Sequence, residues 1–210
     1  MKVIRIHEFG GPEVLRYEDV PDPQPRKDQA LVRVRACAMN HLDLWVRKGL
    51  PGVKLPHILG SDIAGEIVEV GEYVTGFKAG QRVLIAPMHF CNHCAKCVAG
   101  LQNQCPEFTV LGNLVDGGNC ELMAVPAVNV IPIPDSLDFI QAASVPLVFL
   151  TAWHMLVGRA AIRQGQTVLV LGGGSGVGIA AIQIAKLFHA RVITTAGDET
   201  KLEKARALGA

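Results

Sequence analysis

The sequence has no surplus of charge of either sign. Its 20 Lys and Arg against 19 Asp and Glu leave a formal charge of +1, too weak a field to draw in a nucleic acid or an anionic membrane. Long apolar runs are also missing: half of the residues are hydrophobic, yet no run approaches the ~18 uninterrupted apolar residues of a membrane span. The start offers no signal-peptide core, because Lys2, Arg5 and Glu8 interrupt it. A cytoplasmic address is the default expectation. There is no internal repeat and no low-complexity segment, and 210 residues suffice for one large domain or a domain and a half.

What the sequence does have is a glycine string in a telling place. Residues 168–171 are all branched aliphatic, 172–178 read Gly-Gly-Gly-Ser-Gly-Val-Gly, and 179–187 carry the apolar spacing of a helix. An apolar strand of that kind suits a parallel sheet covered on both faces. Glycines between strand and helix let the backbone approach a pyrophosphate, whose charge is met by free N–H groups and the helix dipole. A second strand over 191–195 follows at βαβ distance. An ordinary strand-to-helix turn also favours glycine, and the middle glycine of the dinucleotide fingerprint is Ser175, counted from Gly173. The spacing therefore predicts a variant cofactor turn of Gly173, Ser175, Gly176, Val177 and Gly178, in which the serine hydroxyl could itself donate to a phosphate.

Cys91, Cys94, Cys97 and Cys105 carry the most specific signal. Four thiolates in one polar loop can close on a tetrahedral ion at ~2.3 Å, and four protein sulfurs leave no position for water, so the site would be structural zinc. An iron-sulfur cluster is the rival, although a ferredoxin run places its last cysteine closer. Without a signal peptide, metal is favoured over disulfides. Cys37 and Cys120 sit in strand-like context and read as small buried hydrophobes.

Ahead of the lobe, short strands over 3–6, 14–20 and 30–36, a strand entered at 56–71 and another near 82–85 suggest a barrel-like β domain. A short helix after Asn40 ends near Gly49, and Asn40 and Asp43 have the spacing of an N-cap and its acidic N3 partner, so a capping role competes with a catalytic one. Past a strand over 120–125, Asp135 and Ser136 could cap a helix through Ala143 that Pro146 breaks, with helix again over 151–157. These elements divide the chain into a β-rich domain, 1–130, and a cleft helix with the first half of a Rossmann domain, 131–210.

A β-rich first domain, a lobe with cysteines spaced 2, 2 and 7, and a glycine-turn βαβ unit together resemble the medium-chain dehydrogenase/reductase superfamily. The resemblance implies a GroES-like first domain, a structural zinc, a nicotinamide cofactor and hydride transfer in a cleft between domains. It also exposes a departure. The alcohol dehydrogenases' catalytic zinc ligands fall on Asn40, Ser61 and Leu147, which with Asp62 do not make a zinc site. The serine of their proton relay falls on Leu42. This is similar to the quinone oxidoreductase branch, which shares the Asn and Gly-Ser-Asp pattern and works without catalytic metal. Asn40 and His41 would then bond a substrate oxygen as charge develops on it, Asp43 would organise the cleft floor, and Thr151 would lie against the nicotinamide. A rearranged metal site of His41, His57 and Asp62 is the competing arrangement.

The implied substrate is a small activated carbonyl compound such as a quinone or conjugated enone, with a small alcohol or aldehyde as the alternative. A non-catalytic zinc-stabilised binding module is the third reading, and a homo-oligomer stays open. For the cofactor, the position where NAD sites carry an acidic residue is Ala196, and Lys201 follows closely, which favours NADP(H) over NAD(H) unless Asp198 or Glu199 reaches the ribose. The sequence ends after one half of a doubly wound sheet, so it is expected to be either part of a longer enzyme or a dead module.

Overall fold

The computed structural model describes all residues, 1–210. By packing, the chain forms two compact units, Met1–Pro146 and Leu147–Ala210. In chain order the first contains β1 (Lys2–Ile6), β2 (Leu15–Asp19), β3 (Gln29–Ala38), α1 (His41–Gly49), β4 (His57–Ile58), β5 (Asp62–Val70) and β6 (Arg82–Ile85). These are followed by β7 (Met88–His89), α2 (Ala95–Val98), β8 (Thr109–Val110), β9 (Leu122–Pro126), β10 (Val130–Pro132) and α3 (Phe139–Ala143). A five-stranded antiparallel sheet, ordered β10-β6-β5-β3-β9, is the frame, beside a three-stranded sheet β2-β1-β4 and the small β7-β8 pair. The sheets are open, with β9 and β10 as edges of the large one.

Period-two patterning builds the large sheet. Ile63, Ile67, Val83 and Ile85 meet Ala30, Val32 and Val125 on one face. Ala64 and Leu84 point to the other, where Ala142 and Ala143 of α3 cover them. Residues 131–146 thus belong by packing to the first unit. Along β3 residues 29–32 are buried on both faces and alternation begins at Arg33, where the strand leaves the core; Arg35 pairs with Glu66 of β5 at 3.3 Å. Gly65 lies against the Arg33 carbonyl, leaving no room for a side chain.

Two local expectations are corrected. Asp138, rather than Asp135 or Ser136, caps α3: its Oδ1 accepts from the Gln141 N–H at 2.7 Å, and the Gln141 side chain accepts from the Asp138 N–H at 3.0 Å. Pro146 does not end a helix but opens α4 (Pro146–Trp153), the first-turn position at which a missing N–H costs nothing. The helix continues as a π-turn over His154–Arg159.

The second unit follows with β11 (Thr167–Val170), α5 (Gly176–Leu187), β12 (Arg191–Thr194) and α6 (Glu199–Ala207). β11 and β12 are parallel, with Val168 opposite Val192 and Val170 opposite Thr194. Ala180, Ile182, Ile184 and Ala185 of α5 close a core with Val170, Val192 and Ala205. No helix is long and apolar enough to cross a membrane.

Candidate functional site

The four expected sulfurs converge. The Sγ atoms of Cys91, Cys94, Cys97 and Cys105 all lie within 4.8 Å of one another, with Cys91 to Cys97 at 3.9 Å and Cys91 to Cys105 at 3.6 Å. Four sulfurs at 2.3 Å from a tetrahedral ion stand about 3.8 Å apart, so the cluster is compatible with structural zinc. Cys94 precedes the single turn of α2, which brings Cys97 back toward Cys91. Backbone N–H groups of His93 and Cys94 hold the Cys91 thiol down to about 6, which favours the thiolate a metal requires. Burial pushes Cys97 up to about 12. The Glu107 N–H donates to the Cys105 sulfur at 3.4 Å, a second outer contact of the kind that orients ligands. Burial likewise pushes Cys37 and Cys120 up to about 12, as inert small side chains.

A second polar node joins α1 to β5. Asn40 caps α1, and its backbone N–H donates to Asp43 Oδ2 at 2.6 Å. The other Asp43 oxygen accepts from the Gly60 N–H at 2.9 Å, and Asp43 is only 4% exposed. Asn40 Nδ2 donates to Asp62 Oδ2 at 2.8 Å, and Asp62 is 2% exposed. Ser61 is fully buried with its hydroxyl donating to the Leu111 carbonyl at 2.7 Å. The side chains at 40, 61 and 62 therefore satisfy one another or the backbone. His41 is exposed and packs edge-on against Trp45 at 5.7 Å. Buried His57 has Nδ1 3.5 Å from Asp116, and with His41 and Asp62 it forms no cluster of metal-ligand atoms. The sequence does not reveal the part of Asp62, which orients the Asn40 amide in place of ligating a metal with His41 and His57.

In the second unit the glycine turn meets the start of α5. Gly172 takes φ +72°, Gly178 lies so close to the Gly172 carbonyl that a methyl group would not fit, and Gly173 packs as tightly on Thr194 Oγ1. Ser175 is the N-cap: its hydroxyl donates to the Gly172 carbonyl at 2.8 Å and accepts from the Gly178 N–H at 3.0 Å. Its hydrogen is thus directed into the turn, against the expectation that it donates to a phosphate. Gly176 and Val177 open the helix, where amides have no partner one turn back. The stem of Lys201 covers Gly174, within 2.8 Å of where a side chain would begin. Lys201 Nζ pairs with Asp198 at 2.9 Å, which holds the Asp198 carboxyl below its ordinary value. Asp198 also caps α6 through the Lys201 N–H, and Glu199 is taken by Arg206 at 2.6 Å. Thr151 is exposed, its hydroxyl donating to the Leu147 carbonyl at 2.7 Å.

A β-rich unit with a four-sulfur lobe, followed by a strand, glycine turn and helix, is the architecture of the GroES-like dehydrogenases. The alcohol dehydrogenase GroES-like domain family matches residues 26–135. The chain belongs to the medium-chain dehydrogenase/reductase superfamily. It is 36% identical to the quinone oxidoreductase of Sus scrofa over 95% of this chain and 54% of that protein. It is 37% identical to the acryloyl-coenzyme A reductase of Metallosphaera sedula over 99% of this chain and 60% of that protein. A solved NAD-dependent alcohol dehydrogenase superposes with a TM-score of 0.97 at 48% identity, covering all of this chain and 62% of that one. The chain spans about half the length of the curated relatives it matches.

Proposed function

We propose that the chain serves a nicotinamide-dependent oxidoreductase that passes hydride to an activated carbonyl compound, such as a quinone or conjugated enone, without a catalytic zinc. The observation that carries this reading is the Asn40–Asp62 hydrogen bond, beside a Ser61 turned to a backbone carbonyl. These residues fill with hydrogen bonds the positions that a metal-dependent alcohol dehydrogenase gives to ligands. Relatives named quinone oxidoreductase and acryloyl-coenzyme A reductase support an electron-poor acceptor.

The nicotinamide, when bound, supplies the hydride. Asp62 fixes which way the Asn40 amide faces, leaving its second N–H to donate to a substrate oxygen as negative charge grows there. His41, exposed at the start of α1, would donate a proton to the same oxygen. Asp43 holds α1 and the 60–62 turn in fixed relation, which positions Asn40. Thr151 would contact the nicotinamide. The amides of Gly176 and Val177 with the close turn at Gly173, Ser175 and Gly178 would hold the pyrophosphate. The four cysteines would hold one structural zinc.

NADP(H) is the favoured cofactor. Asp198 and Glu199 are each committed to a cation, so neither carboxylate stands open for ribose hydroxyls, and Lys201 lies against the glycine turn. The 48% identity to a solved NAD-dependent alcohol dehydrogenase favours a second reading, oxidation of a small alcohol. The deciding experiment assays the protein for NADPH oxidation with quinones and enones, beside NAD reduction with primary and secondary alcohols, with zinc counted on the same sample. Quinone or enone turnover with one zinc per chain supports the first reading. Alcohol turnover with two zincs overturns it.

A further inference from the structure

The four-sulfur lobe has a buried side and an open one. Cys97 and Cys105 are 7% and 6% exposed, whereas Cys91 and Cys94 are only half-buried. An ion arriving from water therefore meets Cys91 or Cys94 first. Around Cys91 stands a second set of donors, in which the Cys91 sulfur, one ring nitrogen of His93 and one carboxylate oxygen of Glu107 all lie within 4.8 Å of one another. Cys94 belongs to no group of metal-ligand atoms besides the four sulfurs.

The local backbone builds this trio. Asn92 takes φ +65°, a left-handed conformation that asparagine adopts more readily than most residues, and the next residue folds back so that His93 Nδ1 stands 2.7 Å from the Cys91 carbonyl. A carbonyl only accepts, so the ring proton lies on Nδ1 and Nε2 keeps its lone pair, the way metal-binding histidines are held by a backbone carbonyl. Glu107 is brought in by the turn after Cys105, where its N–H donates to the Cys105 sulfur at 3.4 Å and the Phe108 N–H donates to the Cys105 carbonyl at 3.0 Å. Its exposed carboxylate is in no ion pair with a lysine or arginine. One sulfur, one imidazole nitrogen and one carboxylate oxygen suit a borderline divalent ion such as zinc or cobalt better than magnesium or calcium. Three protein ligands leave a position for water, the open pattern that contrasts with the closed lobe. Because Cys91 belongs to both sets, an ion held by the trio is already bonded to one of the four sulfurs that enclose it later.

We propose that Cys91, His93 and Glu107 form a transit site through which a divalent cation enters and leaves the four-sulfur lobe. His93 and Glu107 replace departing water ligands while Cys91 holds the ion, then yield to Cys94, Cys97 and Cys105, each thiol passing its proton to solvent as it binds. The inference rests on the reading of the four cysteines as a zinc site, and the test separates the two. A site used only in passage speeds entry and exit by the same factor and leaves affinity untouched. Metal-free, reduced protein is mixed with cobalt(II) in a stopped-flow instrument and its thiolate-to-cobalt absorption is followed; a chelator then draws the ion out. Wild type is expected to show an early phase of weak absorption, that of a single sulfur, before the four-sulfur spectrum develops. His93→Ala and Glu107→Gln should each lose the early phase and slow both loading and release about tenfold, with the final spectrum, cobalt count and Kd of wild type. His93→Ala removes no carboxylate, so its slowing is not a loss of charge attraction. Loading and release at wild-type rates in both variants overturns the transit site and leaves the lobe standing. A changed final spectrum or a lower cobalt count in either variant also overturns it, because that residue then supports the resting ion. Wild type that never reaches a four-sulfur spectrum overturns the zinc reading, and this inference with it.

Discussion

Ser175 performs two tasks at one atom, and substitution can separate them from the phosphate site it borders. Its hydroxyl caps α5 through the Gly178 N–H and closes the turn through the Gly172 carbonyl. Ser175→Ala removes both bonds. A lost N-cap costs about 1 kcal/mol and the turn bond, at a carbonyl water can reach, adds up to about 1 kcal/mol. Melting should fall by roughly 2–8 °C for a chain of this size. Ser175→Asp keeps a side-chain oxygen where the cap needs it, and aspartate caps as well as serine. It also sets a carboxylate beside the expected pyrophosphate. At roughly 5 Å and an effective dielectric of about 20, one pair of like charges repels by about 3 kcal/mol, about a hundredfold in affinity. Calorimetric titration with NADPH, together with thermal unfolding, reads both quantities on the same samples. The expected pattern is Ala less stable but binding within a few fold of wild type, and Asp between the two in stability, since its carboxylate restores the cap but cannot donate to the Gly172 carbonyl, and binding about a hundredfold weaker. If Asp binds NADPH as wild type does, the phosphate does not sit at this turn.

Four further outcomes follow from the same geometry. Elemental analysis should find one zinc per chain, lost in Cys105→Ala, and no iron. Iodoacetamide at pH 8 should leave the metal-loaded protein unmodified; after chelation Cys91 should react first, as the thiol held down to about 6, with Cys37 and Cys120, pushed up to about 12, still unreactive by mass spectrometry. Asp43→Ala strips the acceptor from two backbone N–H groups, one of them buried, and should cost about 2–4 kcal/mol by denaturant titration. Asn40→Ala should lower kcat/KM for a quinone about 10²- to 10³-fold in the assembled enzyme while leaving NADPH affinity unchanged, the mark of a donor used in the transition state.

Signals confined to a few neighbouring residues were legible from sequence. The cysteine spacing brought four sulfurs together, Gly49 ends α1 with φ +109°, and the glycine string falls between β11 and α5. Features that turn on a choice between adjacent polar residues are less legible. Asp135, Ser136 and Asp138 all offer a capping oxygen, and Gln141, three residues after Asp138, was the overlooked reciprocal partner. Pro146 read as a stop because a proline both ends and begins helices, and only packing shows which. Asp62 lies 22 residues from Asn40, and no local pattern pairs them; β3 and β5 do so by setting Ala38 opposite Asp62. Ser175 fits both a cap and a phosphate donor by composition, and the direction of its hydrogen bond is a three-dimensional fact.

The sulfur lobe also bears on how the chain withstands oxidation. Cys91 and Cys105 stand 3.6 Å apart, and closing to a bonded ~2.05 Å needs a shift of under ~2 Å. With Cys91 largely ionised at neutral pH, an exposed mild oxidant would find its nucleophile already aimed at a partner. A bound cation occupies the lone pairs that such a reaction uses. Filling the lobe therefore protects the chain as well as bracing it: a molecule stripped of metal in air would be captured as a disulfide and would need reduction before it could be reloaded.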